Sequence, residues 1–145
     1  MTRAKLWSAI ILSLAVTGCA SSSTPNVTGS GSQLEARQIQ TREYDSLDLQ
    51  MTMRSVLAAL QDLGFTIDTA DLNVGTITAT RLHHQDKYEN YIMRMTVTVR
   101  QKESGKMAVR ANARLDQSAV SNPKTYQDFF SALDKAIFLT LHGVD

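Results

Sequence analysis

The chain is poor in several residue types, and each scarcity narrows what it can be. It has 1 Cys in 145 residues, which leaves no intrachain disulfide and no multi-cysteine zinc site. With 2 Pro and 7 Gly, it shows neither a collagen-like nor a low-complexity bias. No apolar run reaches the ~18–20 residues that cross a hydrocarbon core. Neither sign of charge dominates: 15 Lys and Arg meet 14 Asp and Glu, for a formal charge of +1. That is not the strongly basic balance of a nucleic-acid binder. The sequence contains no Gly-x-Ser-x-Gly turn and no glycine-rich phosphate loop, two common signatures of enzymes. The 43% hydrophobic content is ordinary for a globular protein, and the length suits one domain with a tail.

The N-terminus carries a directional pattern. Arg3 and Lys5 precede an apolar run from Leu6 to Val16. That run is roughly half the ~20 residues of a transmembrane helix and has the length of a signal-peptide apolar region. It ends in Val16-Thr17-Gly18-Cys19. An aliphatic residue, two small residues and a cysteine in that order resemble the lipobox of bacterial lipoproteins. The resemblance implies that residues 1–18 are a removable signal peptide and that the Cys19 thiol accepts diacylglycerol. Cys19 then becomes the acylated mature N-terminus, and no cofactor besides this covalent lipid is implied. The acyl chains exceed the two anchoring signals that stable membrane attachment needs. In such lipoproteins an Asp after the cysteine marks retention in the inner membrane, so Ala20 implies the outer membrane, with the domain on its periplasmic side. Loss of Arg3 and Lys5 takes the formal charge from +1 to −1.

From Ala20 to Gln33 the chain reads ASSSTPNVTGSGSQ. Such a segment buries too little apolar surface to order itself. It reads as a flexible tether over residues 19–37, ahead of a single domain over 38–145. Extended at ~3.5 Å per residue, a tether of about 17 residues reaches at most ~60 Å.

Within the domain, Gln38–Tyr44 reads as a short strand. Asp45-Ser46 offers an N-cap, and Leu49, Met53, Val56, Leu57, Leu60 and Leu63 recur at helical spacing, predicting a helix over Leu47–Leu63. Gly64 suits the position just past its end. Phe65–Asp68 begins a strand, residues 71–75 form a turn, and Thr76–Leu82 is a Thr-rich strand. Tyr91–Arg100 and Met107–Leu115 both alternate, with Tyr91, Met93, Met95, Val97 and Val99 against Ile92, Arg94, Thr96, Thr98 and Arg100, and Met107, Val109, Ala111, Ala113 and Leu115 against Ala108, Arg110, Asn112 and Arg114, and form a hairpin. Its register follows from matching apolar faces, because a slip of one residue inverts every side chain. Val99 opposite Val109 satisfies this and leaves Glu103-Ser104-Gly105 as a three-residue loop with Gly at the left-handed position. Pro123 suits the first position of a last helix, capped by Ser121 or Asn122. Tyr126, Phe129, Phe130, Leu133, Ile137 and Leu141 form that helix's apolar stripe. The order β-α-β-β-β-α predicts an α+β two-layer sandwich, an antiparallel sheet with two helices on one face.

That order behind a lipobox resembles the helix-grip repeat of BamC-type lipoproteins. The residues that carry the likeness are Leu60-Gln61-Asp62-Leu63-Gly64-Phe65, Ile67-Asp68 and Gly75-Thr76-Ile77. It covers about residues 38–141 once, where BamC-type proteins carry two such domains. Arg42-Glu43-Tyr44-Asp45 and Tyr126-Gln127-Asp128-Phe129-Phe130 also look like a group of small proteobacterial lipoproteins. The resemblance implies an accessory subunit of an envelope complex, in barrel assembly or beside a channel, and it supplies no catalytic residue.

Chemistry-bearing residues are sparse. His83 and His84 are adjacent, so a strand would point them to opposite faces and disfavour a shared metal with Asp86 or Glu89. Met53, Met93, Met95 and Met107 fall at core positions, and Met51 falls off the helix stripe. No catalytic residue and no metal ligand set is assigned. One feature stands out: the hairpin's polar face carries Arg94, Arg100, Arg110 and Arg114 among Thr96, Thr98 and Asn112. The chosen register sets Arg94 opposite Arg114, and facing like charges are unfavourable unless an anion lies between them. This face is the candidate surface for an acidic envelope protein or lipid headgroups. The alternative is a groove between helices and sheet that takes a lipid or peptide, which requires a large residual pocket.

Overall fold

The computed structural model describes residues 29–45, 47–86 and 89–143. Cys19, the signal peptide and the start of the tether lie outside them, as do Ser46 and Tyr88.

The element order is α1 (Gly29–Ile39), β1 (Thr41–Tyr44), α2 (Leu49–Asp62), β2 (Thr66–Asp71), β3 (Thr76–Asp86), β4 (Glu89–Gln101), β5 (Met107–Leu115), β6 (Ser118–Ala119) and α3 (Pro123–His142). The strands form one antiparallel sheet in the order β1-β5-β4-β3-β2, and β6 lies beside β5. The fold is the expected α+β sandwich, with three helices and six strands described.

The β4–β5 hairpin has the register that its apolar alternation dictates: Val99 pairs with Val109, Val97 with Ala111 and Arg94 with Arg114. Lys102 N donates to Lys106 O at 2.9 Å, closing a three-residue loop in which Gly105 has φ +82°. A side chain at that φ would strain the turn. Gly75 is constrained twice: its φ is +65°, and an added Cβ would lie 2.4 Å from the Val99 carbonyl oxygen.

One face of the sheet is apolar and covered. Ile77, Ala79, Met93, Met95, Val97, Val99, Met107, Val109, Ala111 and Ala113 are buried against Met53, Val56 and Leu60 of α2 and Tyr126, Phe129, Phe130 and Leu133 of α3. Met51 packs at the margin of this core. Tyr126 is buried, and its hydroxyl donates to Val120 O at 2.7 Å and accepts from Ala113 N and Gln40 Nε2. It thereby ties α3 to β5 and to the entry of β1, as a buried hydroxyl must be satisfied.

Several expectations differ from the structure: β3 runs on to Asp86 where Leu82 was expected, β4 starts at Glu89 and not Tyr91, α2 starts at Leu49 and not Leu47, and four further differences have a clear cause. Residues 29–39 are helix, where coil was expected to about Arg37. Gln33 to Gln38 are good helix formers, and Ile39 packs against the core, so the serines and glycines before them are a poor guide. The first strand is correspondingly shorter, Thr41–Tyr44 and not Gln38–Tyr44. The cap of α2 is Asp48, which accepts from Met51 N at 2.6 Å, and not Asp45, which pairs with Lys106. Leu141, expected on the buried stripe of α3, is 51% exposed. The structure also resolves an expectation left open: Asn122, and not Ser121, caps α3, accepting from Lys124 N at 3.0 Å.

Candidate surface on the open sheet face

The face of the sheet opposite the core is covered by no described element, so its surface follows from register alone. Residues that alternate with the core positions line up in cross-strand rows. Arg110 pairs with Thr98, Thr98 with Thr76 and Thr76 with Asp71. Asn112, Thr96, Thr78 and Thr69 form the next row. Arg114, Arg94, Thr80 and Thr66 form a third. A β-bulge in β2 inserts Asp68, whose Oδ1 accepts from Thr80 Oγ1 at 2.9 Å. In the fourth row Ile92 faces Leu82, and these side chains are 52% and 55% exposed.

The four arginines singled out from the hairpin all lie on this face and are exposed. Among the described residues, Arg94, Arg100 and Arg110 have no ion-pair or hydrogen-bond partner, and Arg114 donates to the backbone oxygen of Gln117 at 2.7 Å. The ion pairs among the described residues do not involve these arginines: Arg42–Asp134, Lys106–Asp45 and Lys124–Asp128 lie off this face, and Lys102–Glu43 sits at its edge, where Glu43 shares a row with Ala108 and Arg100. The register brings Arg94, Arg110 and Arg114 round a shallow cup of about 250 Å³ formed by Thr96, Thr98, Arg110 and Asn112. Arg100 sits apart, beside the residue 72–75 turn, with Asn73 and Val74.

Sequence reasoning did not place Leu82 and Ile92 together, nor Asp68 and Asp71 on the arginine face. Both follow from the β3 register. The Thr76, Thr78, Thr80, Leu82 alternation was the available signal, but the bulge at Asp68 leaves no trace in the pattern.

At the margin of the core, Tyr44 Oη donates to Asp134 Oδ1 at 2.8 Å, and Arg42 Nη1 bonds Asp134 at 2.7 Å while its guanidinium covers the Phe130 ring. Burial above all, then the Asp134 carboxylate, pushes the Tyr44 phenol above its ordinary value of 10.0. The groove between helices and sheet ends in a half-open dent of about 220 Å³ lined by Leu63, Phe65, Arg81, Met93, Met95 and Lys124. That is below the ~300–1,000 Å³ of typical ligand sites. Among the described residues, no group of His, Cys, Asp and Glu gathers as a metal site, and no helix is long and apolar enough to cross a membrane. His83 and His84 are consecutive on β3, opposite Tyr91 and Asn90. No protein-family model matches the chain, and no curated protein matches it either.

Proposed function

We propose that this protein is a non-enzymatic lipoprotein, anchored through Cys19 to the periplasmic side of the outer membrane, that acts as an accessory subunit of an envelope complex. Its working surface is the open sheet face. One observation carries this reading: Arg94 and Arg114 face each other across β4 and β5, and among the described residues Arg94 makes no ion pair, the carboxylate of Asp116 sharing its dent without bonding it. Directly opposed like charges lower stability. A carboxylate-bearing partner removes that cost on binding.

The partner is a protein rather than a lipid surface. Asp68 and Asp71 share the face with the arginines, and an anionic headgroup layer repels them. Eight threonines and an asparagine on or beside the same rows (Thr41, Thr66, Thr69, Thr76, Thr78, Thr80, Thr96, Thr98 and Asn112) offer the dense hydrogen bonding of a wet protein interface.

The test is an Arg94→Ser, Arg114→Ser double variant of the tagged full-length protein, crosslinked in intact cells, purified and compared with wild type by mass spectrometry. The expected result is loss of a specific envelope partner with a melting temperature that is unchanged or higher. Unchanged recovery of every partner, a differently tagged second copy of this chain included, would overturn the assignment of this face.

A further inference from the structure

Resting on the reading of the open face as a protein-docking surface, we infer that its partner is a second copy of this chain, packed face to face about a twofold axis running along the strands between β3 and β4. Such an axis lays β4 of one copy over β3 of the other, and β5 over β2. It keeps each cross-strand row opposite itself, so every contact occurs twice. The four rows then match in charge and polarity. Arg110 lies over Asp71 of the second copy, because both belong to the row Arg110-Thr98-Thr76-Asp71. Arg114 lies over Thr66, beside the Asp68 of the β2 bulge, and Arg94 lies over Thr80, whose hydroxyl already bonds Asp68. Ile92 meets Leu82, covering two half-exposed aliphatic side chains. Thr96 meets Thr78, Thr98 meets Thr76 and Asn112 meets Thr69.

The charge pattern also disfavours an axis through β4. Moved half a strand spacing to run through β4, the axis would stack Arg94 on Arg94 and Arg100 on Arg100. Like charges held close repel strongly as they lose water. In the matched rows the arginines of β4 and β5 are therefore complementary to the aspartates of β2 about the first axis and repulsive about the axis through β4, with Glu43 of β1 and Asp116 after β5 outside those rows. Stacked sheets lie ~10 Å apart with their strands roughly 30° from parallel, which the twist of each sheet supplies.

The patch is small. Four strands at ~4.8 Å and about seven residues at ~3.3 Å cover roughly 19 Å by 23 Å. That projected area is under the ~800 Å² per partner of a standard interface. The pair is weak in dilute solution and forms where tethering raises the effective concentration.

The test co-expresses two full-length chains bearing different tags, fixes intact cells with formaldehyde, purifies one tag and probes for the other. Wild-type copies co-purify. Arg110→Asp in both copies, or Asp71→Arg in both, reduces recovery at least tenfold. An Arg110→Asp copy paired with an Asp71→Arg copy restores it, because this mixture rebuilds both charge pairs. Asp71 Oδ1 also accepts from Asn73 N and Val74 N in its turn, so a thermal melt accompanies each variant. Arg114→Asp with Asp68→Arg repeats the design if Asp71→Arg does not fold. Absence of co-purification of wild-type copies, or failure of the mixed pairs to restore it, overturns the second copy as partner. If a different protein is then recovered and is lost with Arg94→Ser, Arg114→Ser, the docking face stands with another occupant. If nothing is lost with that variant, the docking reading falls as well.

Discussion

Arg94 illustrates how far a single residue can be read. Its position opposite Arg114 follows from matching Val99 with Val109, so a like-charge pair was legible before any coordinates. Its solvation was not, because that depends on whether other elements cover the face. Tyr44 is the reverse case. Its partner Asp134 lies 90 residues away, and no local pattern joins them. The consequence is a pH dependence with a definite sign. Burial and the Asp134 carboxylate hold the folded phenol above 10.0. The stability this adds is fully present below the unfolded value and declines as pH rises from there toward the folded one, because the unfolded chain loses the proton first. Urea denaturation should show stability falling above about pH 10 with a slope of at most one proton from this group. In Tyr44→Phe that component of the slope is absent. An identical alkaline slope in both proteins would contradict the account.

At the scale of elements, strands whose two faces differ were the most legible. β4 and β5 alternate with only Ile92 and Ala108 as apolar residues on the open face, so the register, the loop and the bounds of β5 followed, while β4 begins two residues earlier than expected, at Glu89, and Gly105 fell where the turn needs it. Elements stabilised by tertiary contact or hidden by composition were not legible. Helix α1 begins in a Ser- and Gly-rich stretch, and its end is held by Ile39 against the core. Strand β6 is two residues long, too short for any periodicity. The cap of α2 was misplaced because Asp45 and Asp48 are both acceptable N-caps by type, and only geometry separates them. Asp48→Ala should cost about 1 kcal/mol, as loss of an N-cap does. Asp45→Ala removes an exposed ion pair with Lys106 and should change stability by less than about 0.5 kcal/mol. Denaturant midpoints of the two variants check this, and equal losses would return the cap to Asp45.

At the scale of the molecule, the two-layer plan explains why a function is sought on the sheet. One face is closed by α2 and α3 over a core that includes Tyr126, Phe129 and Phe130, with a half-open dent of about 220 Å³ at the groove's end. The other face is covered by no described element and is patterned in rows of arginine, threonine and aspartate. The architecture and the arginines were legible from periodicity. The self-complementarity of the face was not, since it needs the β2–β3 register and the bulge at Asp68.

The central claim is that the open face is the surface through which this protein engages a partner. A photo-crosslinking residue placed at Thr96, in the middle of that face, tests it most directly in intact cells. The matched control is Gln127, exposed on α3. The account predicts a discrete adduct from Thr96, at the mass of two copies if the partner is a second chain, and none above background from Gln127. No adduct from Thr96 in a folded, stably expressed protein, or adducts from Gln127 alone, would contradict it.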